Sequence, residues 1–114
     1  MDRYVVVCNK PNENARCRLI AELWAPDGAY INETTVWSGH SAIEAEMARV
    51  YNKLAAKHLA FSSANRSQAH HNVVSVGWHT RAKDSQQVKA GGTDLLILGE
   101  GGRIRLDYRY EKPV

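Results

Sequence analysis

Asp94 stands directly before Leu95, Leu96, Ile97 and Leu98. A carboxyl group set in an apolar run loses its hydration, which disfavours the charged form and pushes the pKa up. Tyr30 and Asn32 have the same parity, so on a strand they share a face. An amide turned inward needs a partner, which a ligand or a water supplies. His71 is a candidate to bond a ligand or move a proton, work that a histidine side chain can do near neutrality. It makes no metal site with His70, because strand neighbours face opposite sides. His71 and His79 share a face but lie too far apart along one strand to hold one ion. No metal and no cofactor are expected.

Two other features look chemical and are read as structural. Gly99-Glu100-Gly101-Gly102 superficially resembles a phosphate loop. It joins two predicted strands and opens no helix, so it is a hairpin turn. Cys8 and Cys17 lack CxxC spacing, and the Met1-Asp2-Arg3-Tyr4 start lacks a signal-peptide layout. They are expected to be free thiols in a reducing cytoplasm.

These side chains need elements to hold them. The chain has 114 residues, the length of one domain, and 44% of them are hydrophobic. No apolar run approaches the roughly 20 residues of a membrane span. The net charge is +3 with scattered basic residues, so no nucleic-acid partner is expected. Residues 2–8 have strand propensity. Asn12 or Asn14 can cap a helix running to about Trp24, stopped by Pro26 and Asp27-Gly28. A short strand covers Ala29 to Glu33, and Trp37-Ser38-Gly39 reads as a turn. Ser41 and Glu44 have capping-box spacing. The helix behind them puts Ile43, Met47, Val50 and Leu54 on one stripe.

After about Ala56 the period changes to that of strands. His58 to Ser63, His70 to Thr80, Gln87 to Leu98 and Arg103 to Tyr110 all read as extended. In the last, Ile104, Leu106, Tyr108 and Tyr110 alternate with Arg103, Arg105, Asp107 and Arg109. The apolar set is expected inside and the arginine face in solvent or at a subunit contact. Helices followed by a meander give an α+β fold, a bent antiparallel sheet with helices over one face and a pocket between them.

Several segments, in order, resemble the nuclear-transport-factor-2-like superfamily, and most closely its SnoaL-like polyketide cyclase and steroid delta-isomerase group. They are Leu23-Trp24-Ala25-Pro26-Asp27-Gly28-Ala29-Tyr30, Ser38-Gly39-His40-Ser41-Ala42-Ile43, His70-His71, Trp78, Gly92-Thr93-Asp94 and Gly102-Arg103-Ile104. The resemblance covers nearly the whole chain. It implies a cone-shaped α+β barrel of cystatin-like type, a curved sheet wrapped around a long helix with an internal pocket. It also turns residues 2–8 into a first helix.

The resemblance implies roles as well. Tyr4 matches the helix-1 tyrosine of the steroid isomerases, and Asp94 their second oxyanion-hole residue. Those enzymes are a general example of a carboxylic acid kept neutral by an apolar site. Their aspartate base falls at Asn32, and an amide cannot accept and return a proton at neutral pH. His71 or Tyr30 would then have to move the proton. The expected pocket wall is Tyr30, Asn32, Met47, Phe61, Trp78, Leu96 and Tyr108. The expected ligand is a small apolar molecule bearing a carbonyl, taken by an isomerase or aldol-type cyclase. Tyr30-Ile31-Asn32 also resembles limonene-type epoxide hydrolases. Those need an Asp–Arg–Asp set, whereas residues 70–80 contain no aspartate and Asp107 reads as out of register. The absent base favours the alternative of a non-catalytic ligand-binding or protein-interaction module. Family members commonly dimerise through the outer sheet face, where Val73, Ser75 and Gly77 are small and flat.

Overall fold

The computed structural model describes the backbone of residues 2–113 and the side chains of residues 3–111. Helix α1 (Asp2–Cys8) overrides the strand propensity of its valines. Tyr4, Val7 and Cys8 stand at i, i+3 and i+4 and are all buried, while Arg3 and Val6 face out. The gain from burying that stripe exceeds the small propensity penalty of β-branched residues. Helix α2 (Glu13–Leu23) is capped by Asn12, whose side chain accepts from the Ala15 amide at 2.9 Å.

Strand β1 (Trp24–Ile31) follows α2 without a break, so Pro26 and Gly28 lie inside a strand rather than beyond a helix stop. Gly28 is needed there, because a Cβ would sit 2.8 Å from the Ile104 carbonyl oxygen. Strand β2 (Val36–Ser38) pairs antiparallel with β1 where a turn was expected. Helix α3 (His40–Ala56) begins after Gly39, whose φ of 85° suits glycine. The capping box does not form. No side chain caps α3, and Glu44 instead takes Arg16 at 3.0 Å, in a buried clasp between α2 and α3. The stripe on α3 forms as read, with Ile43 and Met47 buried and Val50 and Leu54 packed beside them.

Strands β3 (Leu59–His70), β4 (Val73–Ala82), β5 (Val88–Leu98) and β6 (Ile104–Pro113) complete the sheet. The strand order is β2-β1-β6-β5-β4-β3. The sheet is mixed and open, because β1 runs parallel to β6 while the other pairs are antiparallel. Strand β3 extends well past Ser63, across a register shift before Ser67. Gly101 and Gly102, at φ 74° and 76°, make the β5–β6 turn.

That turn is followed by a bulge. Leu98 pairs with Ile104 and Ile97 with Leu106, which leaves Arg105 as an extra residue. One inserted residue flips every later side chain to the other face. The expected inside and outside of β6 are therefore exchanged beyond Ile104. Asp107 (0% exposed) and Arg109 (8%) turn inward. Tyr108 and Leu106 turn outward, beside Leu95 and Ile97 of β5, and Tyr110 is 55% exposed. The arginine face is thus not uniformly solvated.

Candidate functional site

The sheet's inner face meets α1 at a group of five side chains, Tyr4, Trp78, Asp94, Asp107 and Arg109. Asp94 sits in mid-β5 directly opposite Arg109 on β6. Arg109 Nε donates to Asp94 Oδ1 at 2.9 Å. Trp78, one strand over on β4, donates its Nε1 to the same oxygen at 2.9 Å. Gly92 makes room for that indole, since a Cβ there would lie 2.6 Å from the Trp78 ring. Tyr4 of α1 completes the group. Its hydroxyl lies 2.5 Å from Asp94 Oδ2, 2.6 Å from Asp107 Oδ2 and 2.9 Å from Arg109 Nη2.

Electrostatics divides the two acids. Burial alone would raise Asp94, but the Arg109 guanidinium and the bonds from Asp107, Arg109 and Tyr4 hold it below the usual carboxylate range. Burial and the neighbouring Asp94 charge push Asp107 well above that range. Asp94 is therefore the ionised member, contrary to the expectation from its apolar sequence neighbours. Desolvation raises Tyr4, which keeps its proton. Burial pushes the Cys8 thiol up to about 12, so it supplies no thiolate near neutrality.

Arg109 is the hub. Its guanidinium carbon lies 5.2 Å from the Tyr30 ring centroid, 5.1 Å from Phe61 and 4.8 Å from Trp78. Cations are attracted to ring faces at such distances. Its Nη1 makes no hydrogen bond among the described residues. A cavity of about 10 Å³, walled by Cys8, Tyr30, Met47, Val50, Phe61 and Arg109, leaves room for about one water beside the guanidinium. Tyr30, Val50, Phe61 and Arg109 also wall a wider cleft of about 630 Å³ at the mouth, with Lys53, Lys57 and Lys89 on its rim.

The expected site residues divide accordingly. Tyr4 and Asp94 are brought together, but in contact with Arg109 and Asp107 rather than open to a ligand. Tyr30, Met47, Phe61 and Trp78 surround the cavity or the cleft. Leu96 is fully buried in the core and lines no cavity described here. Tyr108 turns away from the inner cavity, as the bulge requires, and lines a separate cleft of about 250 Å³ with Ile31, Asn32 and Arg109. Asn32 follows β1 at the cleft's edge, and its Oδ1 accepts from Thr34 N, Thr35 N and Thr34 Oγ1 at 2.9, 2.9 and 3.0 Å. That oxygen builds a turn rather than awaiting a ligand.

His71 is not a pocket residue. It occupies the exposed β3–β4 turn with φ 58°. Asp94 pairs with Val76, five residues further along β4, a separation of about 16 Å at strand rise. Asp107 and Arg109 are the residues that sequence reasoning missed. An inward Asp–Arg–Asp set does exist, contrary to the register argument. At Asn32, which the resemblance matches to the water-holding amide of the hydrolases, the side-chain oxygen is taken by its own turn. No group of three His, Cys, Asp or Glu among the described residues is placed to hold a metal ion, and no described helix is long and apolar enough to cross a membrane.

No protein-family model matches the chain, and no curated protein matches it by sequence. Solved structures do match. A candidate isomerase of the SnoaL-like family from Agrobacterium tumefaciens superposes with a TM-score of 0.87 at 23% identity, covering 97% of this chain and 92% of its own. A candidate polyketide cyclase from Sinorhizobium meliloti reaches 0.73 at 15% identity, covering 96% and 91%. A de novo designed protein with a curved β-sheet reaches 0.74 at 10%, covering 98% and 81%. The chain therefore has the nuclear-transport-factor-2-like, cystatin-like fold. That a designed protein shares it underlines that the backbone alone assigns no activity.

Proposed function

We propose that this protein is a small-molecule pocket protein of the SnoaL-like type, taking an apolar ligand with a carbonyl-type oxygen. The oxygen meets Arg109 rather than the Tyr4–Asp94 pair. One observation carries this reading: a buried cation, fixed by Asp94 and Tyr4 and ringed by Tyr30, Phe61 and Trp78, lines the cavity. A guanidinium already neutralised by Asp94 suits a neutral acceptor better than a lone carboxylate, which would bury uncompensated charge.

Binding without turnover is the form the side chains favour. Proton abstraction next to a carbonyl needs a base with a pKa near the working pH. Asp94 is committed to Arg109, Asp107 stands behind Tyr4, and Asn32 carries no titratable group. The test is calorimetry with bicyclic aromatic ketones, together with deuterium uptake at the ketone's α-carbon in heavy water. Saturable binding to the wild type that weakens at least about tenfold in Arg109→Gln, with no uptake above buffer, supports the reading. Uptake that depends on the protein establishes catalysis instead. No binding by the wild type overturns the pocket assignment.

A further inference from the structure

Tyr4 has three polar neighbours and one proton. Asp94 Oδ2, Asp107 Oδ2 and Arg109 Nη2 lie 2.5, 2.6 and 2.9 Å from its hydroxyl oxygen. A phenol donates once and accepts through its lone pairs. Arg109 can only donate. If Tyr4 donates to Asp94, the contact with Asp107 needs its proton from Asp107. If Tyr4 donates to Asp107, the contact with Asp94 needs its proton from Asp94. Either way one carboxyl must be protonated, because two carboxylates cannot share a single phenolic hydrogen at these distances.

The other contacts say which carboxyl carries it. Asp94 Oδ1 accepts from Arg109 Nε and Trp78 Nε1, and its carboxyl also lies against Tyr4 and Asp107. Asp107 Oδ1 is buried with no partner. A carboxylate with one bare oxygen in the interior is costly, and a neutral acid is much less so. The titratable and charged groups close to Asp107 are Tyr4 and Cys8 from α1, Tyr30 from β1, Asp94 from β5 and Arg109 on its own strand. Only Arg109 among them is cationic, and Asp94 already pairs with it.

We propose that Asp94 and Asp107 share one proton through Tyr4, and that its passage from Asp107 to Asp94 uncovers the charge of Arg109 for an anionic oxygen in the cleft. In that step the O–H bond of Asp107 breaks as one forms on Tyr4. Tyr4's own O–H bond breaks as one forms on Asp94 Oδ2. No proton enters from solvent. Before the step, Arg109 and Asp94 cancel. After it, the negative charge rests on Asp107, one hydroxyl further from Arg109. The site then accepts either a neutral oxygen or its conjugate anion, which suits a phenol or an enol. Asp107 is a positioning residue: it touches no ligand and acts through Tyr4 and Asp94. The inference rests on the reading that Arg109 meets the ligand oxygen.

Two measurements test it. The first needs no ligand: carboxyl-carbon NMR of the ¹³C-aspartate-labelled protein at pH 7, with the Asp107 signal identified by its loss in Asp107→Asn. A shift in the protonated range supports the proposal, and one in the ionised range overturns it. The second uses 4-nitrophenol, whose colour reports its ionisation. The wild type should bind phenolate as well as phenol. Asp107→Asn keeps a donor to Tyr4 but holds no mobile proton, so the preference for phenolate relative to phenol should fall about tenfold. An unchanged preference overturns the proposal. Failure of the wild type to bind either form overturns the Arg109 reading instead, and the carboxyl shift still decides where the proton lies.

Discussion

Asp94 and Arg109 face each other across β5 and β6, joined at 2.9 Å, with their side chains 0% and 5% exposed. Their separate worth is small beside the cost of parting them. Replacing a buried pair with apolar residues is often neutral, but removing one partner leaves a charge stranded in the interior. Asp94→Asn is therefore expected to cost about 3–5 kcal/mol, read from urea unfolding midpoints at constant m-value. A loss below about 1 kcal/mol would mean that Arg109 finds water and that the inner site is wetter than described.

The two acids give opposite pH signatures. Asp94 is lowered, so its contribution is present above the unfolded carboxylate value and is lost as pH falls through its native value. Asp107 is raised, so its contribution is full below the unfolded value and is lost as pH rises through its native value. Unfolding midpoints measured upward from the ordinary carboxylate range should therefore decline in the wild type. Asp107→Asn should flatten that decline. Parallel curves for the two proteins would refute the raised Asp107.

Gly92→Ala probes how tightly the indole is seated. The new methyl would lie 2.6 Å from the Trp78 ring and would also press on the Tyr110 carbonyl oxygen, which is backbone and cannot swing away. Overpacking of this kind costs about 1–3 kcal/mol. Because Trp78 donates to Asp94, the variant should also shift indole emission. Wild-type stability with unchanged emission would contradict this seating.

Asn32→Asp would restore the residue type found at this position in the isomerases that the sequence resembles. The carboxylate can still accept from Thr34 and Thr35, so the turn survives. No gain in ketone α-deuteration is expected, because the side chain stays turned to its own loop. A marked gain would show that the turn releases it.

Much of the fold was legible because its signals are local. The α3 stripe, the strand periods and the glycine turn all lie within a dozen residues of the features that cause them. For residues 2–8 the valines alone pointed to a strand and only the resemblance gave the helix, because burial of Tyr4, Val7 and Cys8 is a tertiary effect. The capping box misled because Glu44 had a buried arginine to answer. The candidate site was half legible. Tyr4 and Asp94 came from resemblance, and their meeting spans 90 residues. Asp107 and Arg109 were hidden by a clean alternation that assigned them to solvent. A bulge leaves no mark on hydrophobic period, and only the unpaired acid at Asp94 hinted that a cation had to be near.

That bulge has an evolutionary reach out of proportion to its size. Arg105 is the extra residue that turns Asp107 and Arg109 toward the cone and sends Leu106, Tyr108 and Tyr110 out. Losing one codon there would exchange the two sets, giving a cone with a greasy heart and a charged back. Descendants of such a backbone can thus trade a polar interior for an oily one by a single deletion, with no substitution at any position that lines the cavity.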